Sequence, residues 1–131
     1  MSIFDLFNKK SHPSDKISLD KIWDMWENDN MPSPYRELMT YQSEVNNGGH
    51  MQFFDNVSNT EDLGRVADVL LGILTDELLK NFTKAYDSYL SMCDDDNEDD
   101  LFDVLDDCDE VYYKNESEIN RLLEEYAGGL N

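Results

Sequence analysis

Apolar residues at Leu19, Ile22, Trp23 and Trp26 repeat at the i, i+3, i+4, i+7 spacing of one helix face, with Ser18 as N-cap. Asp20, Asp24 and Glu27 line another face of the same helix. Met31-Pro32-Ser33-Pro34 excludes continued helix, so this element stops near Asn28 to Asn30. Ser33 then caps a second helix with Pro34 at its first position, bearing Tyr35, Leu38, Met39 and Val45. Asn46-Asn47-Gly48-Gly49 ends it, because Asn and Gly accept the left-handed backbone that helix C-termini commonly need. A short helix through Gln52, Phe53 and Phe54 follows.

Thr60 with Glu61 and Asp62 opens the next helix. Its residues Leu63, Val66, Ala67, Leu70, Leu71, Ile73 and Leu74 leave little polar surface, which predicts the most buried helix of the set. Thr75 caps its partner, with Leu78, Leu79, Phe82, Tyr86, Tyr89 and Leu90 inside. Residues 94–100, DDDNEDD, read as a surface loop or helix start, after which Leu101, Leu105 and Cys108 mark an apolar stripe. The last helix carries Ile119, Leu122, Leu123 and Tyr126, and Gly128-Gly129 ends it. No segment alternates with the period of two that a strand requires. The expectation is an all-α, single-domain compact bundle of about six to seven helices over residues 17–131, preceded by a mobile arm over 1–16.

Leu, Ile, Val and Phe make up 32 of the 131 residues, enough for a core despite the charge. That charge changes the picture more than any other property. Thirty acidic residues against ten Lys and Arg leave a formal charge of -20, which argues against nucleic acid and anionic membrane as direct partners and for something basic. The N-terminal stretch MSIFDLFNKK has no signal-peptide core and no segment has the ~18 apolar residues of a membrane span, so the expected location is cytoplasmic. Cys93 and Cys108 lack metal-ligand spacing and read as reduced structural thiols.

Between Met92 and Tyr113 stand eleven acids and no base: Asp94, Asp95, Asp96, Glu98, Asp99, Asp100, Asp103, Asp106, Asp107, Asp109 and Glu110. On a helix, Asp99, Asp103, Asp106 and Glu110 form one row and Asp96, Asp100, Asp103 and Asp107 a second. Such rows set charges roughly 5 to 6 Å apart, where a DNA strand sets phosphates about 3.4 Å apart. The run therefore suits imitation of a phosphate backbone, with Asp20, Asp24 and Glu27 as further contributors. A calcium loop from Asp94 fails, since its sixth position is Asp99 rather than Gly and its twelfth Leu105 rather than Glu. No metal or cofactor is expected. Catalytic constellations are sparse; the one alternative is convergence of Glu44, His50 and Gln52 beside the Gly48-Gly49 turn. An enzyme is not expected.

The segment YQSEVNNGGHMQFFDN, Tyr41 to Asn56, resembles the signature of the bacterial DNA mimic protein 19 family, with Glu44, Asn47-Gly48-Gly49, Gln52, Phe53-Phe54 and Asn56 at the matching positions. The resemblance covers roughly residues 18 to 127. It implies an all-helical, dimeric protein whose acidic surface imitates double-stranded DNA and sequesters a basic DNA-binding protein such as a transcription factor. The motif itself reads as structural: the glycines make the turn, Phe53 and Phe54 enter the core, and Glu44, Asn47 and Gln52 bond exposed backbone ends. A related reading is an immunity-type inhibitor of a basic nuclease.

Overall fold

The computed structural model describes residues 21–94 and 98–129, without the side chains of 93, 94, 98, 99 and 129. The expected arm over 1–16, the Ser18 cap and Leu19 lie outside the described residues. Regular structure among the described residues is entirely helical, in five helices: α1 (21–27), α2 (Tyr35–Thr60), α3 (Leu63–Ile73), α4 (Asp76–Asp94) and α5 (Glu98–Gly129). The chain divides into two units, Met1–Pro32 with Asn120–Asn131, and Ser33–Ile119.

In the smaller unit α1 buries Ile22 and presents Trp23 and Trp26 edge to face, with ring centroids 5.6 Å apart. The Asn28 side chain donates to the Asp24 carbonyl at 2.8 Å and Asp29 takes φ 60, so the helix closes where the asparagines predict. Leu123 and Ala127 are the buried positions of the α5 terminus in this unit.

The larger unit is organised by α2. Leu38, Tyr41 and Val45 are buried on its first half, and His50, Phe53, Phe54 and Val57 on its second, each set at helical spacing. Between them Gly48 (φ -162, ψ 21) and Gly49 (φ 80, ψ -178) leave helical geometry, so α2 is two rods joined at a kink. The break falls where the Asn-Asn-Gly-Gly run predicts a helix end. Eleven buried residues make α2 the apolar centre, whereas α3 buries Val66, Ala67 and Leu70 and leaves Leu71 37% exposed. The expectation for α3 is thus corrected: α3 is rich in aliphatic residues, but it is amphipathic, with Arg65 and Asp68 exposed, and only its Val66, Ala67 and Leu70 side is buried.

Two caps also move. Ser33 sits one residue too early, and its hydroxyl donates to the Glu37 carboxylate at 2.9 Å, with Pro34 in the N-cap position of α2. Thr60 belongs to the end of α2 and donates to the Asn56 carbonyl, while Asp62 caps α3 by accepting from the Arg65 N–H at 3.2 Å. The helix count falls to five among the described residues because the helices expected on either side of Gly48-Gly49 form one kinked element, α2, and the stripe at Leu101, Leu105 and Cys108 and the one at Ile119 and Leu123 belong to one continuous helix, α5. No Gly or Pro interrupts residues 98–127, and Tyr112 keeps the buried seam in register between the two.

Tyr41 forms the hub of an aromatic core, with Phe53, Phe82 and Tyr112 ring centroids 5.1, 5.4 and 5.4 Å away. These edge-to-face pairs tie α2, α4 and α5 together. The Asn81 side chain of α4 donates to the Cys108 carbonyl at 2.8 Å, a buried bond that fixes α4 against α5.

Candidate partner-binding surface

Helix α5 holds twelve acids against Lys114 and Arg121, half of the chain's formal charge of -20. Asp100, Asp103, Asp106, Asp107 and Glu110 are all exposed. At about 100° per residue, Asp103, Asp106, Asp107 and Glu110 fall within an arc of roughly 100°, opposite the buried seam of Leu105, Cys108 and Tyr112. From Glu98 to Glu110 eight acids spread over about 18 Å of axis, roughly one per 2 Å, against about one per 1.7 Å for duplex DNA. Asp20, Asp95 and Asp96 lie outside the described residues, as do the side chains of Asp94, Glu98 and Asp99. Asp24 and Glu27 are exposed on α1, in the other unit.

Asp109 stands apart from the rest of the run. Its Oδ1 accepts from the His50 backbone N–H at 2.8 Å and from the His50 ring Nδ1 at 2.6 Å. On the far side of the imidazole, Nε2 lies 2.6 Å from the Tyr41 hydroxyl. Burial, then the neighbouring Tyr112, Cys108 and Asp109, pushes the Tyr41 phenol well above its ordinary value, so it keeps its proton and donates it to Nε2. The Nδ1–H tautomer of His50 then satisfies both ring nitrogens. His50 and Tyr41 are fully buried, which makes this chain a latch between the α2 kink and the acidic helix rather than an accessible reaction centre.

The kink glycines serve the same latch. A Cβ on Gly49 would collide with the Asp109 carboxylate, and its φ of 80 already selects glycine. At Gly48 a Cβ would strike the Gln52 side chain. Gln52 in turn donates to Glu44 at 2.9 Å, and Asn56 donates to the same carboxylate oxygen at 2.9 Å. Glu44 and Gln52 therefore meet across the kink, as the spacing suggests, while His50 turns inward to Tyr41 and Asp109. Of the motif residues, Phe53 and Phe54 are core, Glu44, Gln52 and Asn56 form the clamp, and Asn47 is exposed.

A second seam holds α5 to α2. Glu116 accepts from Gln42 at 3.1 Å and Asn46 at 2.7 Å, and the Tyr113 hydroxyl donates to the Val45 carbonyl at 3.0 Å. At the base of the same unit, buried Glu37 accepts from Arg65 at 3.0 Å and Ser33 at 2.9 Å, and Glu61 bridges Arg36 and Arg65. Burial alone would raise the Glu37 carboxyl, but the bonds from Arg65 and Ser33 outweigh it and hold the group below its ordinary value.

Sequence reasoning overlooks Tyr41, Glu37 and Glu116, whose partners lie 9, 28 and 74 residues away. It also overlooks Phe102 and Tyr113, which are 39% and 49% exposed on α5. Phe102 had a signal, because it falls off the stripe set by Leu101, Leu105 and Cys108. Among the described residues no helix is long and apolar enough to cross a membrane. A family model described as DMP19-like protein matches residues 29–129, which takes in the kink, the clamp and all of α5. No curated protein and no solved structure matches the chain.

Proposed function

Since the chain belongs to the DMP19-like protein family, we propose that it is a cytoplasmic DNA-mimic binding protein whose α5 face occupies the basic DNA-binding surface of a partner such as a transcription factor. The observation that carries this reading is the exposed arc of Asp103, Asp106, Asp107 and Glu110, four carboxylates over about 10 Å of helix axis, roughly one per 2.6 Å against about one per 1.7 Å for a duplex. The family motif supports it indirectly: the latch through Asp109 and His50 holds the acidic helix against the core, so the carboxylates keep fixed spacing. On this reading the chain is not an enzyme, and Glu44 and His50 are structural, the one clamping the kink and the other sealed behind it.

The test is retention of a basic DNA-binding protein from a lysate of the producing organism at low salt, eluted over a salt gradient. Retention is expected to be competed by duplex DNA and lost when Asp103, Asp106 and Asp107 become Asn and Glu110 becomes Gln. Failure to recover such a protein, indifference to duplex DNA, or full retention by the neutralised variant would refute the reading.

A further inference from the structure

A phosphate backbone offers charge but no aromatic rings, and the exposed face of α5 offers both. Phe102, Asp106, Glu110 and Tyr113 follow one another at i, i+4, i+8 and i+11, within an arc of roughly 80° and about 16 Å of axis. Both residues are exposed on this face, Phe102 at 39% and Tyr113 at 49%. Tyr113 is also held in place, since its hydroxyl is tied to the Val45 carbonyl at 3.0 Å and its ring meets Tyr112 edge to face at 5.4 Å. Exposed aromatic rings with carboxylates about one turn away are the arrangement that a planar guanidinium fits, stacking on a ring while its N–H groups reach the acids. A lysine ammonium gains less from it, being a compact and strongly hydrated point charge.

We infer that this face selects arginine-bearing partner segments over lysine-bearing ones, with Phe102 and Tyr113 as stacking platforms for guanidinium groups whose charge Asp106 and Glu110 meet. The inference rests on the mimic reading and sharpens it. The acids set the affinity for any cation, and the rings set which cation is preferred.

Fluorescently labelled oligo-arginine and oligo-lysine peptides of equal length, titrated with the full chain and followed by anisotropy, separate the two contributions. Stacking at an exposed ring is worth roughly 2- to 5-fold in affinity, so two rings predict an arginine preference of about 5-fold or more. Changing Phe102→Leu and Tyr113→Leu together is expected to remove most of that preference, lowering arginine-peptide affinity several-fold more than lysine-peptide affinity. Phe102→Leu alone, which spares the Tyr113 anchor, is expected to remove about half. Equal binding of the two peptides to the parent chain, or an arginine preference that survives Phe102→Leu and the double change alike, would overturn the inference alone. Failure of both peptides to bind at low salt would instead overturn the mimic reading beneath it.

Discussion

Replacing Gly49 by Ala tests the latch at its narrowest point. The native backbone there, φ 80 and ψ -178, is a region that non-glycine residues occupy at a cost of about 1–3 kcal/mol. The new Cβ would also collide with the Asp109 carboxylate, whose Cγ lies 3.1 Å from its position, so Asp109 must withdraw from His50. Withdrawal weakens two charge-assisted bonds, at 2.8 and 2.6 Å, each worth about 1.5–3 kcal/mol. Strain and the two bonds together come to about 4–9 kcal/mol if both bonds are lost, a large share of the ~5–15 kcal/mol that holds a typical domain together. Urea denaturation followed by circular dichroism measures it. Asp109→Ala removes the obstruction, so Gly49→Ala in that background is expected to cost the backbone strain alone, giving a coupling of up to about 3–6 kcal/mol between the two sites, the part due to the lost bonds. Gly48→Ala is a comparison free of left-handed strain, since φ -162 suits any residue, but its Cβ would press on Gln52 as far back as that residue's own Cβ at 2.9 Å and disturb the bond to Glu44. Additivity of the Gly49 and Asp109 changes to within about 0.5 kcal/mol would refute the claim that the kink is shaped around that carboxylate.

Tyr41→Phe keeps the central ring but removes the donor to His50 Nε2, and is expected to cost about 1–2 kcal/mol in the same assay; a neutral result would mean that the hydroxyl contributes nothing to the latch. The folded-state carboxyl of Glu37 lies below its ordinary value of 4.5, so its contribution is present above that value and is lost as pH falls through the depressed one. Glu37→Gln should therefore flatten the acid limb of a stability-against-pH curve below 4.5, and an unchanged limb would contradict the assignment. Moderate salt is expected to raise the melting temperature by screening the repulsion along α5, and Asp103→Asn with Asp107→Asn to raise it at low salt while shrinking the salt response. A melting temperature that ignores or falls with salt would contradict a repulsive acidic face.

Local signals carried much of this fold. Pro32 and Pro34, the Asn-Asn-Gly-Gly run and the 3.6-residue recurrence of apolar positions place the helices and the kink without knowledge of what they pack against. What local signals miss is which apolar helix lies at the centre. α3 is richer in aliphatic residues than α2, yet α2 is contacted from several sides and Leu71 of α3 faces water. Asp109 is the sharper case. By sequence it is one acid among eleven, and only the approach of the α2 kink, 59 residues earlier, separates it from Asp107 and Glu110. Burial of a charge is decided by long-range partners, and no window of sequence contains them.

The seams that bind α5 to α2 also decide whether its acidic face is portable. Cut out as a free peptide, residues 98–119 would carry rows of like charges one turn apart and neither Asp109's histidine nor Glu116's amides, so repulsion would win and the helix would melt. The acidic face of α5 therefore cannot be transplanted from this chain as a linear epitope. Its regular ladder of carboxylates is an attribute of the folded assembly, and any attempt to graft it must bring the kinked helix along.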